Sequence, residues 1–140
     1  MSSILSANNF FKRPNIFWQL DAAVNGYQNR LGDELSTQAC AGRFFKVLND
    51  QEKKSEEDLN VLRIKVILLE DGYICWFKLS EILDKVKTVK SWEPILLTKH
   101  EIYLRIDPVL NFVEKASKIN NKYLWGGTLG PNYDCSGLVQ

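Results

Sequence analysis

A stretch of alternating residues followed by a turn signal constrains the fold of this chain more than any other feature. Residues 61–70 alternate in polarity, which is typical of a strand with one face in a core. Asp71 and Gly72 favour a tight hairpin turn, and residues 73–79 (YICWFKL) supply an apolar returning strand. The sequence therefore predicts an antiparallel hairpin with Leu62, Ile64, Val66 and Leu68 on its inner face and Arg63 and Lys65 on its outer face.

Further short apolar runs precede this hairpin, at residues 27–31, 37–41 and 43–48, and turn residues rather than helical periods separate them. The polar segment 49–60 is typical of a solvated loop. We expect residues 25–92 to form a small β-barrel of about five strands.

The aromatic and thiol side chains of this region fit the interior of such a barrel. At strand spacing, Tyr73, Trp76 and Phe77 are more typical of a core than of an aromatic groove for a proline-rich peptide. Cys40 and Cys75 lie in apolar surroundings, and we expect both to be buried.

Composition excludes several functional classes. The chain of 140 residues has 18 Lys and Arg against 17 Asp and Glu, a formal net charge of +1 that argues against a nucleic-acid partner or an anionic membrane surface. Its three cysteines fit neither a paired disulfide framework nor the close spacing of a zinc site, so no metal or other cofactor is predicted. Because no disulfide framework is expected, we expect the protein to work in a reducing compartment.

The first 24 residues have neither the early positive charge nor the apolar core of a secretory signal, and no segment is long enough to span a bilayer. We therefore expect a cytoplasmic protein. Residues 1–24 carry several aromatic side chains around a Lys-Arg-Pro break, which indicates an arm packed on the following domain, with a membrane-surface anchor as the alternative.

A second domain, residues 93–140, is predicted after the barrel. Thr98 and Glu101 have the spacing of a capping box that opens a helix. Asp107 and Pro108 then have the pattern of a fresh N-cap followed by proline at the first helical position, so a second helix is expected to run to about residue 120.

The chemistry-bearing residues lie near residue 135. Asp134 and Ser136 favour helix N-caps and flank Cys135, so we expect a helix to begin there with the thiol facing unpaired backbone N–H groups. Such a position stabilises a thiolate, the nucleophilic form of cysteine. Because an unpaired cysteine is more often an inert core residue, the surrounding sequence decides between the two interpretations.

That surrounding sequence resembles a known family. Tyr-Leu-Trp-Gly-Gly at residues 123–127 and Asp-Cys-Ser-Gly-Leu-Val at residues 134–139 resemble the nucleophile region of the NlpC family of bacterial cell-wall cysteine peptidases, which have a papain-like fold. The predicted barrel resembles the bacterial SH3-like domain of the cyanobacterial type of γ-D-glutamyl-L-diamino acid endopeptidase. The resemblance covers residues 27–140.

The resemblance implies a reaction and a set of residues. Cys135 is the implied nucleophile, attacking the γ-D-glutamyl amide of peptidoglycan stem peptides. Tyr73, Asp134 and Ser136 are the implied substrate-binding residues, with Asp134 holding the free amine of an N-terminal L-Ala. A carboxylate suits that task because a charge-assisted hydrogen bond favours an ammonium.

The chain also departs from the family, whose catalytic histidine and its polar partner follow the cysteine. The one histidine, His100, precedes Cys135 and is expected to be an exposed residue of a capping turn. We therefore expect an inactive fragment of α+β class, with an SH3-like barrel followed by the N-terminal helices of an incomplete papain-like domain. The alternatives are a muropeptide-binding module without catalysis and a non-functional product.

Overall fold

The computed structural model describes residue 13, residues 16–48 and residues 62–139. The chain divides into two compact units between Trp92 and Glu93. The predicted loop at 49–60 lies outside the described residues, as does most of the predicted arm before residue 16.

The first unit is built on one antiparallel sheet of seven strands. The strand order is β3-β2-β6-β5-β4-β1-β7, so β3 and β7 lie at opposite edges. A single turn of helix, α1 (Leu79–Ile82), separates the last two strands. The strands are β1 (Phe17–Leu20), β2 (Val24–Tyr27), β3 (Leu35–Ala39), β4 (Phe44–Val47), β5 (Arg63–Leu68), β6 (Ile74–Lys78) and β7 (Val86–Val89).

The predicted hairpin is confirmed as strands β5 and β6. In their register Ile64 lies opposite Phe77 and Val66 opposite Cys75, and all four side chains are buried. Gly72 adopts a φ of 71°, a left-handed conformation that favours glycine in a turn. The alternation therefore identified the inner face correctly.

Three aromatic rings form the centre of the core. Phe45 stacks on Trp18 with ring centroids 6.5 Å apart, and it meets Phe77 edge-on at 5.3 Å. All three side chains are fully buried. These rings join β1, β4 and β6, so the core connects strands that are distant in sequence.

The predicted fold class is wrong. Seven strands form an open antiparallel sheet where a small SH3-like barrel of about five was expected. The difference arises because β1, which lies in the segment predicted as an arm, pairs with both β4 and β7. Those pairings extend the sheet on one side, whereas the prediction left β1 and β7 out of it.

The prediction of several papain-like helices is also wrong. The described part of the second unit has one long helix, α2 (Lys99–Lys118). The Thr98–Glu101 capping box is confirmed, with both of its reciprocal hydrogen bonds formed. Pro108, however, lies inside α2 instead of starting a new helix. Its missing N–H removes one hydrogen bond of the helix, and the residues around it are exposed, so the carbonyl that loses this donor is not confined to an apolar interior.

Side-chain burial also differs from expectation at three residues of the first unit. Tyr73, expected in the core, is 39% exposed. Cys75 is buried as predicted, but Cys40 is exposed. Arg63, predicted on the outer face, is buried, and its guanidinium lies 4.2 Å from the centre of the Tyr27 ring. Within the described residues, no helix combines the length and apolar character needed to cross a membrane.

Candidate functional site

The segment around Cys135 folds back on itself within the second unit. The backbone N–H of Leu124 donates to the carbonyl of Tyr133 at 3.2 Å, and that of Asp134 donates to the carbonyl of Gly127 at 3.1 Å. Lys122 N–H donates to the side-chain oxygen of Asn132 at 2.8 Å. Two arms, residues 122–127 and 132–137, therefore run side by side, and we call them the doubled segment.

Glycines allow the two arms to approach closely. A Cβ atom added at Gly137 would lie 1.8 Å from the carbonyl oxygen of Gly127. One added at Gly127 would lie 2.5 Å from the carbonyl oxygen of Asn132. Because both obstacles are backbone atoms, a side chain at either position requires the arms to move apart.

The carboxylate of Asp134 connects the two arms. Its Oδ1 accepts from the backbone N–H of Gly137 at 2.6 Å and from both the N–H and the hydroxyl of Ser136 at 3.1 Å. Its Oδ2 accepts from the N–H of Gly126 at 2.9 Å. Partial burial acts to raise the pKa of Asp134, but the hydrogen bonds from Gly137, Gly126 and Ser136 outweigh it and lower that pKa.

Cys135 lies exposed at the start of a series of turns, residues 135–139. Val139 N–H donates to the Ser136 carbonyl at 3.0 Å, which closes one of these turns. The predicted α-helix is therefore not formed over residues 135–139, although Asp134 caps the backbone there as an N-cap residue would.

Tyr123 contacts the thiol and was missed as a site residue. Its hydroxyl lies close enough to Cys135 for both the side chain and the backbone of that residue to affect the pKa of Tyr123. The pKa of Tyr123 is raised, first by the loss of water around the hydroxyl and then by the charges of Cys135 and Asp134. The sequence did carry a signal, since Tyr123 begins the Tyr-Leu-Trp-Gly-Gly half of the family motif.

The structure therefore brings Asp134, Cys135 and Ser136 together with Tyr123 in the second unit. Tyr73, the remaining predicted substrate residue, belongs to the first unit and is partly exposed. Its hydroxyl lies 2.9 Å from the hydroxyl of Ser36 and donates to the Ser36 carbonyl at 3.2 Å. Its role toward a substrate stays a prediction.

His100 is exposed in the first turn of α2, as expected for a residue of the capping box. Across the described residues, no group of three or more His, Cys, Asp or Glu side chains is placed to hold a metal ion. The doubled segment thus presents an exposed thiol beside a phenol and a hydroxyl. Such groups can attack and hydrogen-bond an electrophilic carbonyl once a base removes the thiol proton.

Comparison of the chain with protein-family models gave no match, and comparison with curated proteins gave no significant match either.

Proposed function

We propose that Cys135 is the nucleophile of a cysteine peptidase that acts on peptidoglycan stem peptides, at the bond between D-Glu and the diamino acid. The observation that supports this best is the doubled segment. Its hydrogen bonds through Asp134 hold the turn that carries the exposed Cys135 thiol, with the Tyr123 hydroxyl nearby. The proposed compartment is the cytoplasm, where thiols stay reduced.

The proposed reaction has two steps. Sulfur bonds to the γ-carbonyl carbon of D-Glu, the C–N bond breaks, and the diamino acid leaves with the proton on its amine. Water then hydrolyses the thioester and regenerates the thiol. Both steps need a base near the sulfur.

The second candidate function is binding of muropeptides without catalysis, and the position of His100 favours it for the 140-residue chain. His100 is exposed in the first turn of α2, whereas the side chain that lies near Cys135 is the Tyr123 phenol. We therefore expect this chain to recognise the stem peptide through the doubled segment but not to turn it over.

Affinity labelling tests recognition without requiring turnover. The probe is L-Ala-γ-D-Glu carrying a chloromethyl ketone in place of the scissile amide, and its γ-L-Glu diastereomer is the matched comparison. Specific polar contacts worth about 1.5 kcal/mol or more predict that Cys135 reacts at least about tenfold faster with the D form. Cys40, also exposed, serves as the internal reference and should show no preference.

Equal rates for the two diastereomers at Cys135 would overturn the proposed substrate class. Incubation with L-Ala-γ-D-Glu-diaminopimelate separates the two candidate functions. Release of L-Ala-D-Glu that disappears in Cys135→Ala would support the peptidase and overturn the expectation that the chain only binds.

A further inference from the structure

We propose that Asp134 is the positioning residue of Cys135, an inference that rests on the proposed function for the identity of the nucleophile. The carboxylate divides its hydrogen bonds between the two arms of the doubled segment. Oδ1 accepts from the turn that carries Cys135, and Oδ2 accepts from the Gly126 amide of the other arm. One side chain therefore fixes both halves of the motif.

The two arms that Asp134 connects are in close backbone contact. The 1.8 Å approach that a Cβ at Gly137 would make to the Gly127 carbonyl shows that the backbones are already in contact. Oδ1 of Asp134 accepts from the N–H of Gly137, and Oδ2 accepts from the N–H of Gly126, the residue before Gly127. A loss of the carboxylate thus releases the arms at the place where their spacing is tightest.

The same contacts give Asp134 a structural task beside the amine recognition that the family resemblance implies. A carboxylate offers about four lone-pair sites. Two backbone amides and the hydroxyl of the Cys135 turn bind to Oδ1, and the Gly126 amide binds to Oδ2. Three of these four internal donors share Oδ1 and one binds Oδ2, so the bonds seen in the fold assign Asp134 to holding the Cys135 turn against the other arm.

Two substitutions separate the functions of the two oxygens in the full 140-residue chain. Asp134→Asn keeps an oxygen for the turn but places an amide NH₂ opposite the Gly126 N–H. Asp134→Ala removes both acceptors. Asp107→Asn is the matched control, because Asp107 is an exposed aspartate of the same unit.

Hydrogen exchange should resolve the two connections. Because a charge-assisted hydrogen bond is worth roughly 1.5–3 kcal/mol, Asp134→Ala should speed exchange of the Gly126, Ser136 and Gly137 amides by about tenfold or more. Asp134→Asn should speed exchange of the Gly126 amide alone. Equal loss at all three amides in both variants would contradict the assignment of the oxygens and overturn the proposal.

The rate of Cys135 alkylation by iodoacetamide, relative to Cys40 in the same molecule, reports on positioning itself. Because the turn that carries Cys135 is released when both acceptors are lost, Asp134→Ala should raise this ratio by about threefold or more, with a smaller rise in Asp134→Asn. The Asp107→Asn control should leave it unchanged. An unchanged ratio in Asp134→Ala despite faster amide exchange would reduce Asp134 to a structural cap and overturn the proposal.

Buried Cys75 should stay unlabelled in every variant, which verifies that the sheet is folded. If Cys75 is labelled in Asp134→Ala, the proposal is decided by Asp134→Asn, in which only the Gly126 amide should exchange faster. No substrate enters these measurements, so their failure and the failure of the proposed function can be told apart.

Discussion

The sheet of the first unit and the doubled segment of the second are held together by different forces. In the sheet, Phe45 is completely buried between Trp18 and Phe77. In the doubled segment, Tyr123 is 64% exposed and Trp125 is 68% exposed, while the backbone of Gly126 and Gly127 is buried. Apolar burial stabilises the sheet, whereas hydrogen bonds and backbone contact define the segment that carries Cys135.

Helix α2 extends the contrast within the second unit. No side chain of α2 is buried, and large apolar residues such as Leu104 and Leu110 are more than half exposed. Its ends are instead fixed locally, by the Thr98–Glu101 capping box and by a 2.8 Å ion pair between Lys118 and Glu114. An exposed pair of that kind contributes only about 0.3–0.5 kcal/mol, so local interactions define α2 without stabilising it strongly.

The largest expected effect is in the sheet, from Phe45→Ala. The substitution removes a ring that contacts two other buried aromatic rings, and a cavity of that size costs about 3–5 kcal/mol in the free energy of unfolding. Urea unfolding followed by far-ultraviolet circular dichroism measures the loss. The matched control is Ile74→Ala on β6, because Ile74 is 50% exposed and its truncation should cost about 0.5 kcal/mol or less. Similar losses for the two variants would mean that burial does not dominate the stability of the sheet.

A smaller effect is expected in the doubled segment, from Gly137→Ala. The new methyl group would meet the Gly127 carbonyl, and relieving such an overlap costs about 1–3 kcal/mol. We expect the Asp134 amide, which donates to that carbonyl, to exchange at least about tenfold faster, as a loss of 1.4 kcal/mol or more would produce.

Gly72→Ala is the comparison for this variant. A Cβ at Gly72 meets no atom within 4 Å, so the substitution brings backbone strain at a φ of 71° without a collision. If Gly137→Ala leaves the Asp134 amide protected, the close approach of the two arms does not define the segment, and the contrast with the sheet weakens.

Local patterns were predictable from the sequence in both units. The β5–β6 hairpin follows from alternation and a turn signal, and the Thr98 cap follows from a spacing of three residues. Strand pairing across the sheet was not predictable in this way. The pairing of β1 with β4 and β7 joins residues far apart in sequence, and no periodicity within a short run encodes it.

The same division applies to single side chains. Arg63 was predicted on the outer face from alternation alone, but in the fold it donates to the Asn29 carbonyl at 2.7 Å from a buried position. At the candidate site, the capping of the Cys135 turn by Asp134 was predictable, since Asp bonds backbone two and three residues ahead. The contact between Tyr123 and Cys135 depends on the folding back of the segment, which the sequence pattern does not specify.

The smallest effect, and the one that most sharply separates the two regions, is the response to acid. Hydrogen bonds from Gly137, Gly126 and Ser136 outweigh partial burial and hold the pKa of Asp134 below its ordinary value of 3.8 in the folded segment. The folded segment therefore favours the charged carboxylate. This stabilisation is complete above about pH 5, well above the ordinary pKa, and is lost as the pH falls through the lowered pKa.

We therefore expect the amide resonances of Ser136 and Gly137 to stay constant from pH 7 to about pH 5 and to shift together below about pH 4. Nuclear magnetic resonance of the full chain measures this titration. In Asp134→Asn the shared shift should disappear, because the amide does not titrate. Val66 and Phe77 have side chains in the apolar core, and their backbone amides should show no matching transition. A transition of the same midpoint in Asp134→Asn would assign the acid response to another group, and the carboxylate would then not be what holds the Cys135 turn.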